Sequence, residues 1–173
     1  MTPMLRVDLG RLAREGSVLV EARIPADDGL WQGSGIRWRG PVDVRLRVSY
    51  AGSGEVVARG TVKGQLDQEC RRCLEPVQGE FDDELTLVFV SGATGEDTDE
   101  GDAFVFEPVG RSLDLSSAVR EEVILAMNSY VVCDPECRGL CPRCGKNLNE
   151  GPCDCAEEEV DPRWETLRAL KGR

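Results

Sequence analysis

The chain has 173 residues, 40% of them hydrophobic and 31% charged, with 32 acids against 21 bases, no histidine and a net charge of −11. That suits a globular domain with an appendage, large enough to bury a real core, and no apolar run approaches the roughly 20 residues that span a bilayer. The charge disfavours a face built to grip phosphate backbones, and the missing histidine removes the usual general base and the commonest nitrogen ligand.

From Met1 to Gly10 no basic stretch precedes an apolar one, so no signal peptide is expected. The expected location is therefore the cytoplasm, where thiols stay reduced. Leu5 to Leu9 and Val18 to Ile24 read as strands joined by a short polar link containing Gly10 and Gly16. Gly29 to Gly40 reads as a loop, with Trp31 and Trp38 assigned to the core. Val42, Val44, Leu46, Val48 and Tyr50 alternate with Asp43, Arg45, Arg47 and Ser49, a period of two that turns one face inward. After a turn at Gly52-Ser-Gly54, Val56 to Leu66 gives a second strand with weaker alternation. Leu85, Leu87 and Phe89 line one face of a third. The stretch Glu69-Cys-Arg-Arg-Cys-Leu74 lies between those two, at a hairpin end.

Ser91 to Asp102 is acidic and aperiodic and reads as a mobile loop, after which Phe104 to Phe106 resumes as a short strand. Asp114 to Met127 is the main helix, with Leu115, Ala118, Val119, Val123, Ala126 and Met127 on one stripe and Asp114 as N-cap. Glu121 and Glu122 face solvent. A second short helix is expected from Asp161 and Pro162, with Trp164, Leu167 and Leu170 on its apolar side. The expected fold class is α+β: an antiparallel, partly barrel-like sheet with one main helix and a C-terminal cysteine-rich zinc module. Residues 1–130 form the β-rich core domain, including the main helix at 114–127. Residues 131–155 form the zinc-binding module, and 156–173 the terminal helix or tail.

The cysteines carry the chemistry. Cys133, Cys137, Cys141, Cys144, Cys153 and Cys155 crowd one segment, and Cys70 and Cys73 form a separate C-x-x-C. Zinc takes four thiolates at about 2.3 Å, and a two-residue spacing lets one turn supply a pair. Cys141-Pro-Arg-Cys144-Gly145 has the form of a zinc knuckle, and Cys153 and Cys155 return after Asn147, Asn149, Gly151 and Pro152, residues suited to a tight reversal. One site can therefore use Cys141, Cys144, Cys153 and Cys155, leaving Cys133, Cys137, Cys70 and Cys73 for a second. The rival is a single site taking Cys133 or Cys137 with Cys141 and Cys144, so one or two Zn2+ ions are expected. An iron–sulfur cluster also takes four thiolates, but the ferredoxin spacings are not matched. A dithiol redox site or zinc donor at Cys70 and Cys73, with Arg71 and Arg72 favouring thiolate, is the alternative of another class. Closed four-thiolate sites leave no position for substrate or water, so zinc hydrolysis is not expected and no catalytic residue is assigned.

The strand-borne Glu69-Cys-Arg-Arg-Cys-Leu74, the helix Asp114 to Met127, the run Cys137-Arg-Gly-Leu-Cys-Pro-Arg-Cys-Gly-Lys-Asn-Leu-Asn149 and the closing Cys153-Asp-Cys155 resemble the bacterial YceD family in order and spacing. The resemblance spans about Leu5 to Leu170. It implies a non-enzymatic ribosome biogenesis factor supporting accumulation of large-subunit ribosomal RNA and assembly of that subunit. The expected partners are a ribosomal protein or a pre-large-subunit particle, and no membrane is expected. Charge adds a constraint of its own, because eight thiolates around two divalent ions would leave four further negative charges on a chain already at −11. Contact through a basic ribosomal protein is expected ahead of direct RNA contact.

Overall fold

Apolar and polar residues alternate along most of the chain's first half, and the structure turns that alternation into sheet. It is a computed structural model that describes residues 5–52, 54–92, 103–106 and 111–155. Chain order is β1 (Arg6–Asp8), α1 (Leu9–Glu15), β2 (Ser17–Ile24), a 3-10 turn (Gly29–Trp31), β3 (Arg37–Trp38), β4 (Val42–Tyr50), β5 (Val56–Glu69), β6 (Pro76–Ser91), β7 (Ala103–Phe106), β8 (Ser112–Asp114) and α2 (Ser116–Ala126).

The main sheet runs β2-β4-β5-β6-β7, with β3 also on β5, while β1 and β8 form a separate two-stranded sheet. Val42, Val44, Leu46 and Val48 of β4 are all buried, as are Val18, Val20 and Ile24 of β2 and Leu85, Leu87 and Phe89 of β6. These side chains, with Leu115 just before α2 and Ala118, Val119 and Val123 within it, belong to one core. Burying each large aliphatic side chain is worth about 1.5–3 kcal/mol. Trp31 and Trp38 lie in the same core, with ring centroids 5.3 Å apart. On the outer face, cross-strand register sets Arg45 beside Glu21, Arg23 beside Asp43 and Lys63 beside Asp82. All three become ion pairs, each contributing about 0.2–1 kcal/mol.

Several expectations are corrected. The sheet is open rather than barrel-like: among the described residues no ladder joins β7 to β2. β7, four residues long, lies parallel to β6, so the sheet is not purely antiparallel. The link between β1 and β2 is a helix, α1, because the Asp8 carboxylate accepts the Arg11 N–H at 2.7 Å and Gly16 closes the other end. The segment 29–40 is not all loop: it holds the 3-10 turn and β3, which pairs Trp38 with Leu66. β6 starts at Pro76, nine residues before Leu85, and its acid-rich first half is paired with β5 throughout. Ala126 is exposed rather than on the buried stripe of α2. The expected terminal helix at 156–173 and most of the acidic stretch Ser91 to Asp102 lie outside the described residues.

Asp114 caps α2 from β8, one residue before the cap position. Its carboxylate accepts the Ser116 N–H at 2.9 Å and the Arg6 side chain at 3.1 Å. Burial pushes this carboxyl up, but the hydrogen bonds from Ser116 and the charge of Arg6 outweigh it and hold it below its ordinary value of 3.8. A depressed carboxyl stabilises the fold above its unfolded pKa, and that stability is lost as pH falls through the lower folded value. Asp114→Ala should therefore cost about 1 kcal/mol at neutral pH. Urea unfolding at neutral pH and in strong acid should show the gap to the native protein closing.

Candidate metal centres

The β5–β6 hairpin end forms the first half of one centre. Cys70 and Cys73 are buried there, in a turn closed by the Leu74 N–H on the Cys70 carbonyl at 2.8 Å and the Cys70 N–H on the Glu75 carbonyl at 2.8 Å. The chain leaving α2 passes alongside, and the Arg71 N–H donates to the Val131 carbonyl at 2.8 Å. That contact delivers Cys133 and Cys137. The four sulfurs of Cys70, Cys73, Cys133 and Cys137 all lie within 4.8 Å of one another. Cys70 to Cys137 is 3.8 Å and Cys73 to Cys133 is 3.5 Å. A tetrahedron of sulfurs around zinc has edges of about 3.8 Å, so the spacing suits a metal.

The second centre is local. Cys141, Cys144, Cys153 and Cys155 also have all four sulfurs within 4.8 Å, with Cys141 to Cys153 at 3.4 Å. Its knuckle is closed by the Gly145 N–H on the Cys141 carbonyl at 2.9 Å and the Cys141 N–H on the Lys146 carbonyl at 2.8 Å. The eight sulfurs thus fall into two groups of four, and none is in a disulfide. The structure does not gather Cys133 or Cys137 with Cys141 and Cys144 into one centre.

Electrostatics within each group favour an added cation. Burial pushes the Cys70 thiol up, but the backbone N–H groups of Cys73, Cys133 and Arg72 outweigh it and bring it down to about 6. Cys133, whose thiol hydrogen-bonds the sulfurs of Cys73 and Cys137, is pushed up to about 12. The second group repeats this pattern. Backbone N–H groups of Cys144 and Arg143 bring Cys141 down to about 6, and sharing with Cys144 pushes Cys155 up to about 12. Crowded sulfurs cannot all ionise alone, whereas a divalent ion among them deprotonates its ligands outright. The donor set fits zinc, which all-sulfur tetrahedra select together with iron–sulfur clusters.

The two arginines of the first knuckle do different work from that expected. Arg71 stacks its guanidinium on Tyr130, 4.8 Å from the ring centroid, and donates to the Ser129 carbonyl at 3.4 Å. Arg72 donates to the carbonyls of Pro135 at 3.0 Å and Cys137 at 2.9 Å. The Arg72 guanidinium thus ties the hairpin end to the C-terminal module, and that of Arg71 ties it to the segment between α2 and the module. Arg72 reaches the Cys70 sulfur through its backbone N–H, at 3.4 Å, rather than through its guanidinium.

Two further residues at the centres have roles that spacing did not reveal. Leu74, 59% exposed, follows the first knuckle with φ at 62°, the left-handed setting that Gly145 takes after the second knuckle at 72°. The shared setting shows that the two C-x-x-C turns are built alike, although a leucine here carries a steric cost that glycine avoids. Asn149, read as a turn former, hydrogen-bonds a sulfur of the other group: its amide nitrogen lies 3.3 Å from the Cys137 sulfur. Asn-x-Asn just after a knuckle is the sequence signal that could have found it.

Fold and centres together define a β-sheet protein with two four-cysteine clusters, one linking its sheet to its C-terminal module. The chain belongs to the YceD family, large ribosomal RNA subunit accumulation protein YceD, whose family model matches residues 58–171. It is 35% identical over 174 residues to an uncharacterized protein of Mycobacterium tuberculosis, covering 97% of this chain and 82% of the relative. It is 28% identical over 195 residues to the chloroplastic YCED homolog 1 of Zea mays, named for large ribosomal RNA subunit accumulation, covering 96% and 65%. The Arabidopsis thaliana protein of the same name is 37% identical over 70 residues, covering 40% of this chain and 22% of that one. No solved structure matches the chain.

Proposed function

We propose that the protein is a non-enzymatic ribosome biogenesis factor of the cytoplasm, holding two Zn2+ ions and supporting large-subunit ribosomal RNA accumulation through contact with a basic ribosomal protein. The observation that carries the metal part is the first cluster, which gathers sulfurs 60 or more residues apart in sequence. Cys70, Cys73, Cys133 and Cys137 would hold one ion and Cys141, Cys144, Cys153 and Cys155 the other. Bound there, zinc supplies cross-linking rather than reaction chemistry, because four sulfurs fill its coordination. Family membership supports the ribosomal part, as do the plant relatives named for large ribosomal RNA subunit accumulation.

Charge supports a basic protein partner over naked RNA. Acids exceed bases by 11, and several bases of the sheet are already spent on Glu21, Asp43, Asp67, Glu69 and Asp82. Arg47 and Arg59, opposite one another in the β4–β5 ladder, make no such pair among the described residues. No described helix is long and apolar enough to cross a membrane.

Metal analysis of the purified chain should find two zinc ions, falling to one in Cys70→Ser/Cys73→Ser and to one in Cys153→Ser/Cys155→Ser. A single ion unaffected by the first pair would sink the two-site arrangement. Depleting the protein should lower large-subunit ribosomal RNA relative to small-subunit RNA. Recovery of that RNA as efficiently from protein-free extract as from intact extract would overturn the protein-first contact.

A further inference from the structure

We infer that the two clusters load with metal in order, the local one first, and that Asn149 is the residue that transmits its closure to the other. The inference rests on the reading of both clusters as zinc sites. Asn149 sits between Cys144 and Cys153, inside the loop that the second cluster closes. Its side chain nevertheless serves the first cluster. The Arg138 backbone N–H donates to Asn149 Oδ1 at 2.7 Å, which fixes which end of the amide is oxygen. The nitrogen must then face the other way, where it donates to Cys137 Sγ at 3.3 Å and to Asn147 Oδ1 at 2.8 Å.

Backbone contacts make this placement depend on the closed loop. The Leu148 N–H donates to the Gly139 carbonyl at 2.8 Å, and Leu140 bridges to Asn147. The Leu140 N–H in turn donates to the Arg72 carbonyl of the first knuckle at 3.0 Å. Closing the second cluster therefore aligns residues 147–149 against 138–140 and points the Asn149 amide at a ligand of the first. An N–H donated to a ligand sulfur from outside the cluster holds that sulfur in position for the metal. Outer-shell donors of this type are worth about 10–100-fold in metal affinity.

The order follows from chain length. The second cluster closes loops within 15 residues, from Cys141 to Cys155, whereas the first must join Cys70 to Cys137 across 67. Short closure costs less entropy. Because coupling is reciprocal, a filled first cluster tightens the second by the same factor.

The test is zinc competition against a chromophoric chelator, with native mass spectrometry counting bound ions, on the full chain. Two stepwise ions are expected, the weaker step absent in Cys70→Ser/Cys73→Ser. Asn149→Ala should weaken that step about 10-fold and leave the tighter one, which fills while the first cluster is empty, nearly unchanged. Asn149→Asp, which keeps the acceptor for Arg138 and replaces the donor with a charge, should weaken it further. In Cys153→Ser/Cys155→Ser the first cluster should already be weak, and adding Asn149→Ala should change it no more. An equal loss in both backgrounds would overturn the coupling, as would unchanged affinity in Asn149→Ala. A native chain that binds no zinc would instead overturn the metal reading itself.

Discussion

Stripping the proposed zinc from the two clusters with a strong chelator should unfold residues 131–155 and leave the sheet folded. The module has little else to hold it. It contains no helix or strand among its described residues, only the bridge between Leu140 and Asn147. Its apolar burial amounts to Cys141 and to Cys137 packed on Cys70 and Cys73, with Val77, Val132 and Leu140 partly covered beside them. The sheet, by contrast, has its own continuous core from Val18 through Val123. Structural zinc contributes about 10–16 kcal/mol per site in small sulfur-rich modules, far more than those few contacts. Hydrogen exchange should show the amides of Arg71, Leu140, Cys141 and Leu148 losing protection on metal removal, since their partners lie within or across the module. Amides in the β4–β5 ladder should keep theirs. If the module amides stay protected after two ions have been removed, packing rather than metal holds it. Cys70→Ser/Cys73→Ser should reproduce half the effect, releasing the module from the hairpin while the second knuckle persists.

Much of this arrangement was legible in the sequence, and the gaps have physical causes. β2, β4 and α2 were readable because each buries one clean face, as the unbroken alternation from Val42 to Val48 shows. α1 left no periodic trace because Leu12 is its single buried residue. The first half of β6 hid behind Glu80, Asp82, Asp83 and Glu84, which suit an exposed or edge strand but mimic a loop. Two-residue spacing revealed the knuckles, since it reflects the turn that supplies a pair of sulfurs. It could not say which pairs share a centre. That depends on the hairpin end meeting the chain after α2, through contacts such as Arg71 to Val131. The reach of Asn149 across the two groups likewise depends on how the two loops stack.

The weak alternation of β5 has a different cause, and it predicts a large effect. Val56, Ala58, Gly60, Val62, Gly64 and Leu66 share the core face, so the two glycines break a pattern that is otherwise intact. At Gly64 a β-carbon would lie 2.7 Å from Cζ3 of Trp38, so the glycine gives the indole room beneath it. That indole meets Trp31 and, edge-on at 5.9 Å, Phe81. At Gly60 the restriction is harder, because the nearest atom is backbone: a β-carbon would stand 1.9 Å from the Arg45 carbonyl oxygen. No rotamer can relieve that contact, and Gly60 pairs with both Leu46 of β4 and Leu85 of β6 at the middle of the sheet. Gly60→Ala must therefore push β4 and β5 apart beside Leu46, which is completely buried. The expected loss is about 3 kcal/mol or more, at the upper end of overpacking. Gly40→Ala, where a β-carbon would meet nothing within 4 Å, should change stability by less than about 0.5 kcal/mol. Urea unfolding at fixed zinc, followed by tryptophan fluorescence, separates the two. Equal midpoints for both variants would show that the strands yield at Gly60 and that the glycine is not what lets β4 approach.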